Sequence, residues 1–176
     1  MILDLTQNAM EANAQCIQLS VREGAERLVV EIQDDGCGMS PAVLRRARDP
    51  FYTDGVKHTH RKVGLGLPFL FQTAEAVGGD VELESEEGRG TRVAFSMPTD
   101  AVDLPPFGDF AATALLLFSG AYEGELKLFR DRNGRAYQVG RRELEKTLGN
   151  LNALENLELL KLFFKNNEEE LLQTGV

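Results

Sequence analysis

The sequence predicts an α/β fold: a two-layer sandwich in which helices cover one face of a mixed, mainly antiparallel sheet. Apolar residues recur at every second position, the period of half-buried strands, in four runs: residues 17–21, 28–32, 81–85 and 92–97. One helical pattern, at residues 2–14, precedes these runs, and another, at residues 64–77, separates the second run from the third. The first two runs flank a turn at Gly24, and the last two flank a glycine-rich turn, so each pair is expected to be antiparallel neighbours.

The first predicted helix, residues 2–14, contains neither glycine nor proline. Asp4, Asn8 and Glu11 stand at i, i+4 and i+7, which places them on one face. Amide and carboxylate oxygens suit Mg²⁺, which commonly takes one or two protein ligands besides phosphate oxygens and water. The same stripe is typical of the solvated face of an amphipathic helix, so the pattern leaves both interpretations open.

The second strand ends at the D-D-G-C-G-M run of residues 34–39. A carboxylate fixed there, Asp34, can accept a hydrogen bond from the amino group of a ligand. Gly36 and Gly38 let the backbone approach closely because they lack Cβ. A tight turn explains the same residues equally well.

Ser40 and Pro41 follow as a helix cap and a first helical residue, and they predict a short helix over residues 41–48. No period fits residues 49–63, which predicts a long loop. Long loops in compact domains are often lids over a binding site.

Gly64 and Gly66, with Pro68 in the first turn, open the next helix. Free backbone N–H groups and the helix dipole make such a start favourable for phosphate, although a plain loop-to-helix junction has the same sequence. Thr91 stands at the start of the last strand of this half, where its hydroxyl can bond a ligand or a water.

The amino-acid composition narrows the class of protein. The 176 residues are 43% hydrophobic, which suits one domain with a sizeable core and additional structure at one end. A formal net charge of −9 disfavours nonspecific binding to nucleic acid or anionic membranes. No apolar stretch is long enough to span a bilayer, no leader is expected, and two cysteines predict no disulfide framework, so a cytoplasmic location is expected.

Residues 99–176 are less informative. They predict an apolar helix at 111–118, a hairpin at 126–139 turned at Asn133-Gly134, and helices at 141–148 and 151–173. The last helix has a wide apolar face that must be buried against the domain or another chain, with core packing favoured. That face comprises Leu154, Leu157, Leu160, Phe163 and Phe164.

These motifs together resemble the GHKL superfamily, the ATP-binding fold of DNA gyrase, heat-shock chaperone ATPases, histidine kinases and mismatch-repair ATPases. Residues 4–14 resemble the N-box, residues 34–39 the first glycine box and residues 49–53 the phenylalanine box. Residues 63–67 resemble the second glycine box, and the G-R-G-T run of residues 88–91 resembles the closing element. The resemblance implies a Bergerat-type ATP-binding domain over residues 1–98, with residues 99–176 as a C-terminal α+β extension.

The resemblance also implies roles. Asn8 would hold Mg²⁺ against the triphosphate, Asp34 would accept from the adenine amino group, and Thr91 would support the base. Gly64 and Gly66 would cradle phosphates under a lid formed by residues 54–62. The residues it assigns to ATP binding are Asn8, Asp34, Gly36, Gly38, Met39, Lys62, Gly64, Leu65, Gly66 and Thr91.

The residue at position 4, Asp4, distinguishes between subfamilies of the GHKL superfamily. Gyrase-like, chaperone and mismatch-repair ATPases place a carboxylate, normally Glu, at this point to activate water, whereas histidine kinases usually carry Asn. Asp4 therefore favours an ATPase or ATP-driven switch, although Asp is one methylene shorter than Glu. An acid in the first turn of a helix also interacts favourably with the helix dipole, which is the alternative role.

Two other functions stay open: a stand-alone kinase of a separate protein, similar to histidine kinases or anti-sigma kinases, and a nonhydrolysing nucleotide sensor. The lid, the phenylalanine box and the G-L-G-L form of the second glycine box resemble those of histidine kinases more than those of mismatch-repair ATPases. The chain resembles small stand-alone bacterial ATP-binding proteins with such a tail. We expect a protein partner or a homodimer through the C-terminal helices, and neither nucleic acid nor membrane as partner. The start of the chain at the N-box is consistent with truncation or with a partner that covers this edge.

Overall fold

The computed structural model describes residues 1–47 and 66–173. Six helices and six strands lie in this part of the chain. In chain order they are α1 Ile2–Glu11, β1 Cys16–Glu23, β2 Arg27–Asp34, α2 Pro41–Ala47, α3 Gly66–Val77, β3 Asp80–Glu86, β4 Gly90–Pro98, α4 Phe110–Phe118, β5 Glu125–Arg132, β6 Arg135–Gly140, α5 Arg141–Leu148 and α6 Leu154–Leu172. The predicted long loop at residues 49–63 lies outside the described residues.

The strands form one sheet in the order β3-β4-β2-β1-β5-β6. Only the β1–β5 pair is parallel among the described strands, and the other neighbours are antiparallel. The mixed, mainly antiparallel α/β sandwich is therefore confirmed. Because β5 pairs with β1, the C-terminal segment extends the same sheet, and the division of the chain at residue 98 stays a prediction.

Alternation in the strands decides which face is buried. Ile17, Leu19 and Val21 of β1 lie in the core with their β2 neighbours, while Gln18 and Ser20 face the other side. A buried Leu or Ile side chain is stabilised by roughly 1.5–3 kcal/mol relative to its exposed state. The apolar set on one side of the sheet therefore fixes the register and directs the helices to that side.

Helix α1 ends at Glu11, earlier than the predicted residue 14. The N–H of Ala12 still donates to the Asn8 carbonyl, but Asn13 adopts a left-handed conformation with φ of 59°. Such a residue ends a right-handed helix, since asparagine tolerates this region better than most side chains. The turn brings Ala14 into the core and starts β1 directly afterwards.

The predicted hairpin at residues 126–139 is confirmed as β5–β6. Asn133 and Gly134 both have positive φ, 53° and 84°, as the two-residue turn requires. The predicted helix start at Ser40 is supported by a side-chain cap, since Ser40 Oγ accepts from Val43 N–H at 3.4 Å. The helix predicted over residues 111–118 begins at Phe110, and Asp109 Oδ1 caps it by accepting from Ala112 N–H at 2.9 Å.

Helix α6 begins at Leu154, three residues later than predicted. Leu160 and Phe164 are buried against α4, where the Phe164 ring lies 5.2 Å from that of Phe118. Core packing, the favoured interpretation for this face, is wrong for Leu154, since it is 82% exposed. At 100° per residue Leu154 lies about 120° around the helix from Leu160, which points it away from α4. Partner binding or homodimerisation through α6 stays a prediction.

None of the helices in residues 1–47 and 66–173 is long and apolar enough to cross a bilayer.

Candidate functional site

Asp34 is the last residue of β2 and is only 9% exposed. Its Oδ1 accepts a hydrogen bond from the N–H of Gly36 at 2.8 Å. Burial raises the pKa of its carboxyl above the ordinary 3.8, and the N–H groups of Gly36 and Thr91 lower that pKa only in part. The hydrogen bonds that the protein donates to the Asp34 carboxylate therefore offset its burial only in part. The carboxylate can still accept a hydrogen bond from the N–H group of a ligand.

Glycines at this strand end are required by close backbone contacts. A Cβ at Gly36 would lie 2.8 Å from the Ala12 carbonyl oxygen and 2.9 Å from Asp34 Oδ1. Gly38 has φ of 62°, and a Cβ there would overlap the Glu86 carbonyl. A Cβ at Gly90 would overlap the Asp34 carbonyl. Real Cβ atoms do not tolerate such contacts, so side chains at these positions would push the strand end apart.

Ser85 on β3 is a residue that sequence reasoning missed. Its hydroxyl accepts from the N–H of Met39 at 2.8 Å, donates to the Gly90 carbonyl at 2.9 Å and lies 2.9 Å from Thr91 Oγ1. Because Ser85 has one proton, this set makes Thr91 the donor to Ser85 and leaves the lone pairs of Thr91 as acceptors. The register pairs Ser85 directly with Thr91, and the predicted hairpin could have indicated that pairing.

Asp35 ties the glycine run to the turn between α1 and β1. Its Oδ1 accepts from the N–H groups of Gln15 at 2.7 Å and Cys16 at 2.9 Å. The N–H of Cys37 donates to the Ala12 carbonyl at 2.9 Å, and the Cys37 carbonyl accepts from Gly88 at 2.8 Å. The end of α1, the glycine run and the β3–β4 turn are therefore held as one unit.

The second part of the candidate site is where α3 begins beside α1. A Cβ at Gly66, the first residue of α3, would lie 3.2 Å from the Asp4 Cβ and 4.0 Å from Asn8 Nδ2. Asn8 is half-buried, whereas the Asp4 side chain is 59% exposed and its Oδ2 lies 3.3 Å from the Met1 amino group. The positive end of the α3 dipole thus lies beside an amide and a carboxylate.

The structure brings the predicted residues into two adjoining groups. The first group lies at the end of β2 and contains Asp34, Gly36, Gly38, Met39 and Thr91. Asp4, Asn8 and Gly66 meet between α1 and α3, and Ala12, directly after α1, joins the groups through its contact with Gly36. The other predicted ligands, Lys62, Gly64 and Leu65, lie outside the described residues.

The side chains between α1 and α3 offer few ligands to a metal ion. Among the described residues no group of three or more His, Cys, Asp or Glu side chains is arranged to hold a metal ion. Asn8 with Asp4 one turn away instead suits Mg²⁺, which needs few protein ligands when phosphate oxygens and water complete its coordination. The residues present therefore fit a magnesium ion that arrives with a nucleotide.

The strand-end acid and the glycines lie in the part of the chain that matches a known family model. Residues 1–101 match the model described as histidine kinase-, DNA gyrase B-, and HSP90-like ATPase. The chain belongs to this family. Membership confirms the predicted GHKL resemblance and supports ATP binding, and it explains why the acid, glycines and helix stripe occur in one order.

Curated relatives of this GHKL domain include sensor histidine kinases. YclK of Bacillus subtilis is 30% identical over 104 residues, which are 57% of this chain and 22% of the kinase. RcsC of Escherichia coli is 29% identical over 107 residues, 59% of this chain and 11% of the kinase. WalK of Bacillus subtilis is 32% identical over 82 residues, 46% of this chain and 13% of the kinase. The chain thus spans about a tenth to a fifth of the length of these relatives.

Proposed function

We propose that the chain binds Mg-ATP at the two adjoining groups and hydrolyses it as a conformational switch. The observation that carries this proposal is the position of Gly66, which places the N-terminus of α3 against Asp4 and Asn8 of α1. Backbone N–H groups at that helix start favour the phosphates, while Asp34 at the strand end accepts from the adenine amino group. The glycines around Asp34 let the protein's own backbone pack closely at the strand end that holds this carboxylate.

Each residue has a role in this proposal. Asn8 presents its amide oxygen to Mg²⁺, and the ion, when bound, would supply charge neutralisation on the phosphate oxygens. Asp4 orients the attacking water and accepts its proton. The Asp4 side chain is 59% exposed, so its carboxylate can meet water beside its ion pair with the Met1 amino group, and its neighbour Gly66 keeps the α3 backbone close.

Turnover by the intact chain and by Asp4→Asn tests hydrolysis. General-base contributions are about 10²- to 10⁴-fold, so we expect phosphate release to fall by about 100-fold or more while affinity for a nonhydrolysable ATP analogue stays within about twofold. Glu155→Gln is the matched control, because Glu155 is also an exposed acid in the first turn of a helix. Retained turnover in Asp4→Asn would remove Asp4 from the mechanism and favour a sensor whose nucleotide is not hydrolysed.

A second candidate is a protein kinase that phosphorylates a separate partner. It is favoured by one observation: the relatives named above are sensor histidine kinases. Incubation with γ-labelled ATP and proteins encoded beside this chain distinguishes the two functions. Label on a protein that Asp34→Asn abolishes would support the kinase, whereas label released only as inorganic phosphate would support the ATPase.

A further inference from the structure

The loop between α4 and β5 contacts the turn between α1 and β1, although it lies beyond residue 101, where the match to the family ends. Tyr122 in this loop donates its hydroxyl proton to the Ala14 carbonyl at 3.2 Å. The N–H of Glu125, the first residue of β5, donates to the Gln15 carbonyl at 2.8 Å. The C-terminal segment therefore holds the α1–β1 turn from one side.

The residue after Asp34 holds the same turn from the other side. The Oδ1 atom of Asp35 accepts from the N–H groups of Gln15 at 2.7 Å and Cys16 at 2.9 Å. The N–H of Asp35 lies 3.4 Å from the Cys16 carbonyl oxygen, to which it donates. Asp35 is joined through one peptide bond to Asp34, whose carboxylate is the proposed adenine acceptor. A shift of the turn would therefore move the strand end that carries this carboxylate.

Tyr122 is well placed to act as a permanent donor. Its ring is half-buried against the core, and a Cβ at Gly124 would overlap the ring and its hydroxyl, so glycine is required where the ring crosses the loop. Burial raises the pKa of the Tyr122 hydroxyl to about 12, and the negative charge of Asp35 adds to this rise. The hydroxyl therefore stays protonated at neutral pH and can donate to the Ala14 carbonyl.

The hydroxyl of Tyr122 supplies something that its ring does not. Phenylalanine would make the same apolar contact with the core, but it has no donor for the Ala14 carbonyl. A hydrogen bond restricts both the distance and the direction between its two groups. Tyrosine at this position thus fixes the turn at residues 14–16 in addition to filling space.

We propose that Tyr122 is a positioning residue of the nucleotide site, which holds Asp34 in place for the adenine amino group through residues 14–16 and Asp35. The C-terminal segment is then a working part of that site. The inference rests on the proposed binding of ATP at Asp34. Supporting hydrogen bonds matter because a binding residue must be held within about 0.5 Å of its productive position.

Calorimetric titration of the full chain and Tyr122→Phe, with magnesium and nonhydrolysable analogues of ATP and GTP, tests this role. We expect the variant to bind the ATP analogue about three- to tenfold more weakly, because its hydrogen bond from the adenine amino group is misaligned. Affinity for the GTP analogue should stay within about twofold, so the preference for ATP falls. Equal weakening of both analogues would show a general structural effect and would overturn the proposal.

Tyr137→Phe is the matched control. The Tyr137 hydroxyl also donates one hydrogen bond, to Glu168 Oε1 at 2.9 Å, but it lies on β6, which β1 and β5 separate from β2. Loss of this hydroxyl should leave the preference for the ATP analogue unchanged. A fall in preference as large as in Tyr122→Phe would contradict the role assigned to Tyr122.

The double variant Tyr122→Phe/Asp34→Asn tests whether Tyr122 acts through Asp34. Asp34→Asn already lacks the carboxylate that Tyr122 positions, so the added change should alter affinity for the ATP analogue by less than about twofold. A further loss as large as that caused by Tyr122→Phe alone would show that the two residues act independently, and it would overturn the proposal.

Amide hydrogen exchange without nucleotide separates this inference from the proposed function. The N–H of Gln15 donates to Asp35 and that of Gly36 donates to Asp34, so both should exchange at least about fivefold faster in Tyr122→Phe and at the original rate in Tyr137→Phe. Unchanged exchange in Tyr122→Phe would overturn the proposal. Faster exchange in a chain that binds neither nucleotide analogue would contradict the proposed ATP binding, while the coupling of Tyr122 to the Asp34 strand end would stand.

Discussion

Asp34 and Arg130 are both buried charged residues, but their hydrogen bonds and ion pairs offset the cost of burial to different degrees. Arg130, on β5 and 1% exposed, donates to Glu23 at 2.7 Å, to Glu168 at 3.3 Å and to the Asp131 carbonyl at 2.9 Å. Asp34 has a raised pKa because backbone donors offset its burial only in part. Removing one partner of a buried, fully paired charge is strongly destabilising, whereas a buried charge with spare hydrogen-bonding capacity marks a candidate binding site.

The partners of the two residues also differ in kind. Asp34 accepts from the backbone N–H groups of Gly36 and Thr91, whereas Arg130 pairs with the carboxylates of Glu23 and Glu168, which are 107 and 38 residues away along the chain. The rings of Phe107 and Phe110 lie 5.0 and 5.2 Å from the Arg130 guanidinium and complete its enclosure. The Arg130 cluster thus joins β1, β5, α4 and α6.

The largest expected effect is on the Arg130 cluster. Arg130→Met would leave the half-buried carboxylates of Glu23 and Glu168 without their main cation, so we expect the free energy of unfolding to fall by about 3–5 kcal/mol. Urea denaturation measures this loss. Arg27→Met removes an exposed ion pair with Asp80 and should cost about 1 kcal/mol or less. Equal losses in the two variants would contradict the structural role assigned to Arg130.

Gly38→Ala should have the next largest effect. The added Cβ would overlap the Glu86 carbonyl at a residue whose φ is already 62°, so we expect a loss of about 2–3 kcal/mol and weaker ATP-analogue binding. Gly88→Ala is the matched control, since Gly88 also has positive φ, 80°, but has open space around it. It should cost about 1 kcal/mol. Similar losses in both would show that the close approach at Gly38 is unimportant.

Asp34→Asn separates binding from stability. We expect affinity for a nonhydrolysable ATP analogue to fall at least tenfold, about 1.4 kcal/mol, because an amide is a weaker acceptor for the adenine amino group than a carboxylate. The folded chain should not lose stability at neutral pH, since the amide oxygen can still accept from Gly36 and no charge is buried. A chain destabilised like Arg130→Met would contradict the difference between the two residues.

The raised pKa of Asp34 predicts a pH dependence with a definite sign. Its contribution to stability is fully present below the unfolded-state value near 3.8 and is lost as pH rises through the higher folded-state pKa. The free energy of unfolding of Asp34→Asn relative to the original chain should therefore increase between pH 3 and pH 7. Urea denaturation at both pH values measures this difference, and a decrease would show that Asp34 is well paired when folded.

Ser85→Ala should give the smallest effect. The change removes the acceptor of the Met39 N–H and the partner of Thr91, and a hydrogen bond of this kind contributes about 1 kcal/mol. Thermal denaturation and ATP-analogue titration measure the two consequences. Ser119→Ala, which removes a hydroxyl bonded only to the Leu115 carbonyl one turn away, should leave ATP-analogue binding unchanged.

Local patterns predicted much of the fold. Strand alternation, the Asn133-Gly134 turn and the Ser40 cap depend on residues close in sequence, and each of them was predicted correctly. The close backbone approach at the glycines around Asp34 could also be predicted, because such an approach requires glycine whatever group lies opposite. What they approach, the carbonyls of Ala12 and Glu86, could not be read from the sequence.

Long-range pairing was not predictable. The parallel pairing of β5 with β1 and the ion pair of Arg130 with Glu23 join residues about a hundred positions apart, and no local period encodes such contacts. Ser85 was missed because its role depends on the register of β3 with β4. Core packing was wrongly expected for Leu154 because apolar residues surround much of α6, and its packing against α4, β5 and β6 decides which of them are buried.

Calorimetric titration of the intact chain and Asp34→Asn, each with magnesium and nonhydrolysable analogues of ATP and GTP, tests whether Asp34 recognises adenine. We expect micromolar binding of the ATP analogue, at least tenfold weaker binding of the GTP analogue because guanine lacks the matching amino group, and loss of this preference in Asp34→Asn. Equal affinity of the intact chain for both analogues, or an unchanged preference in the variant, would contradict the assignment of Asp34 as the adenine acceptor.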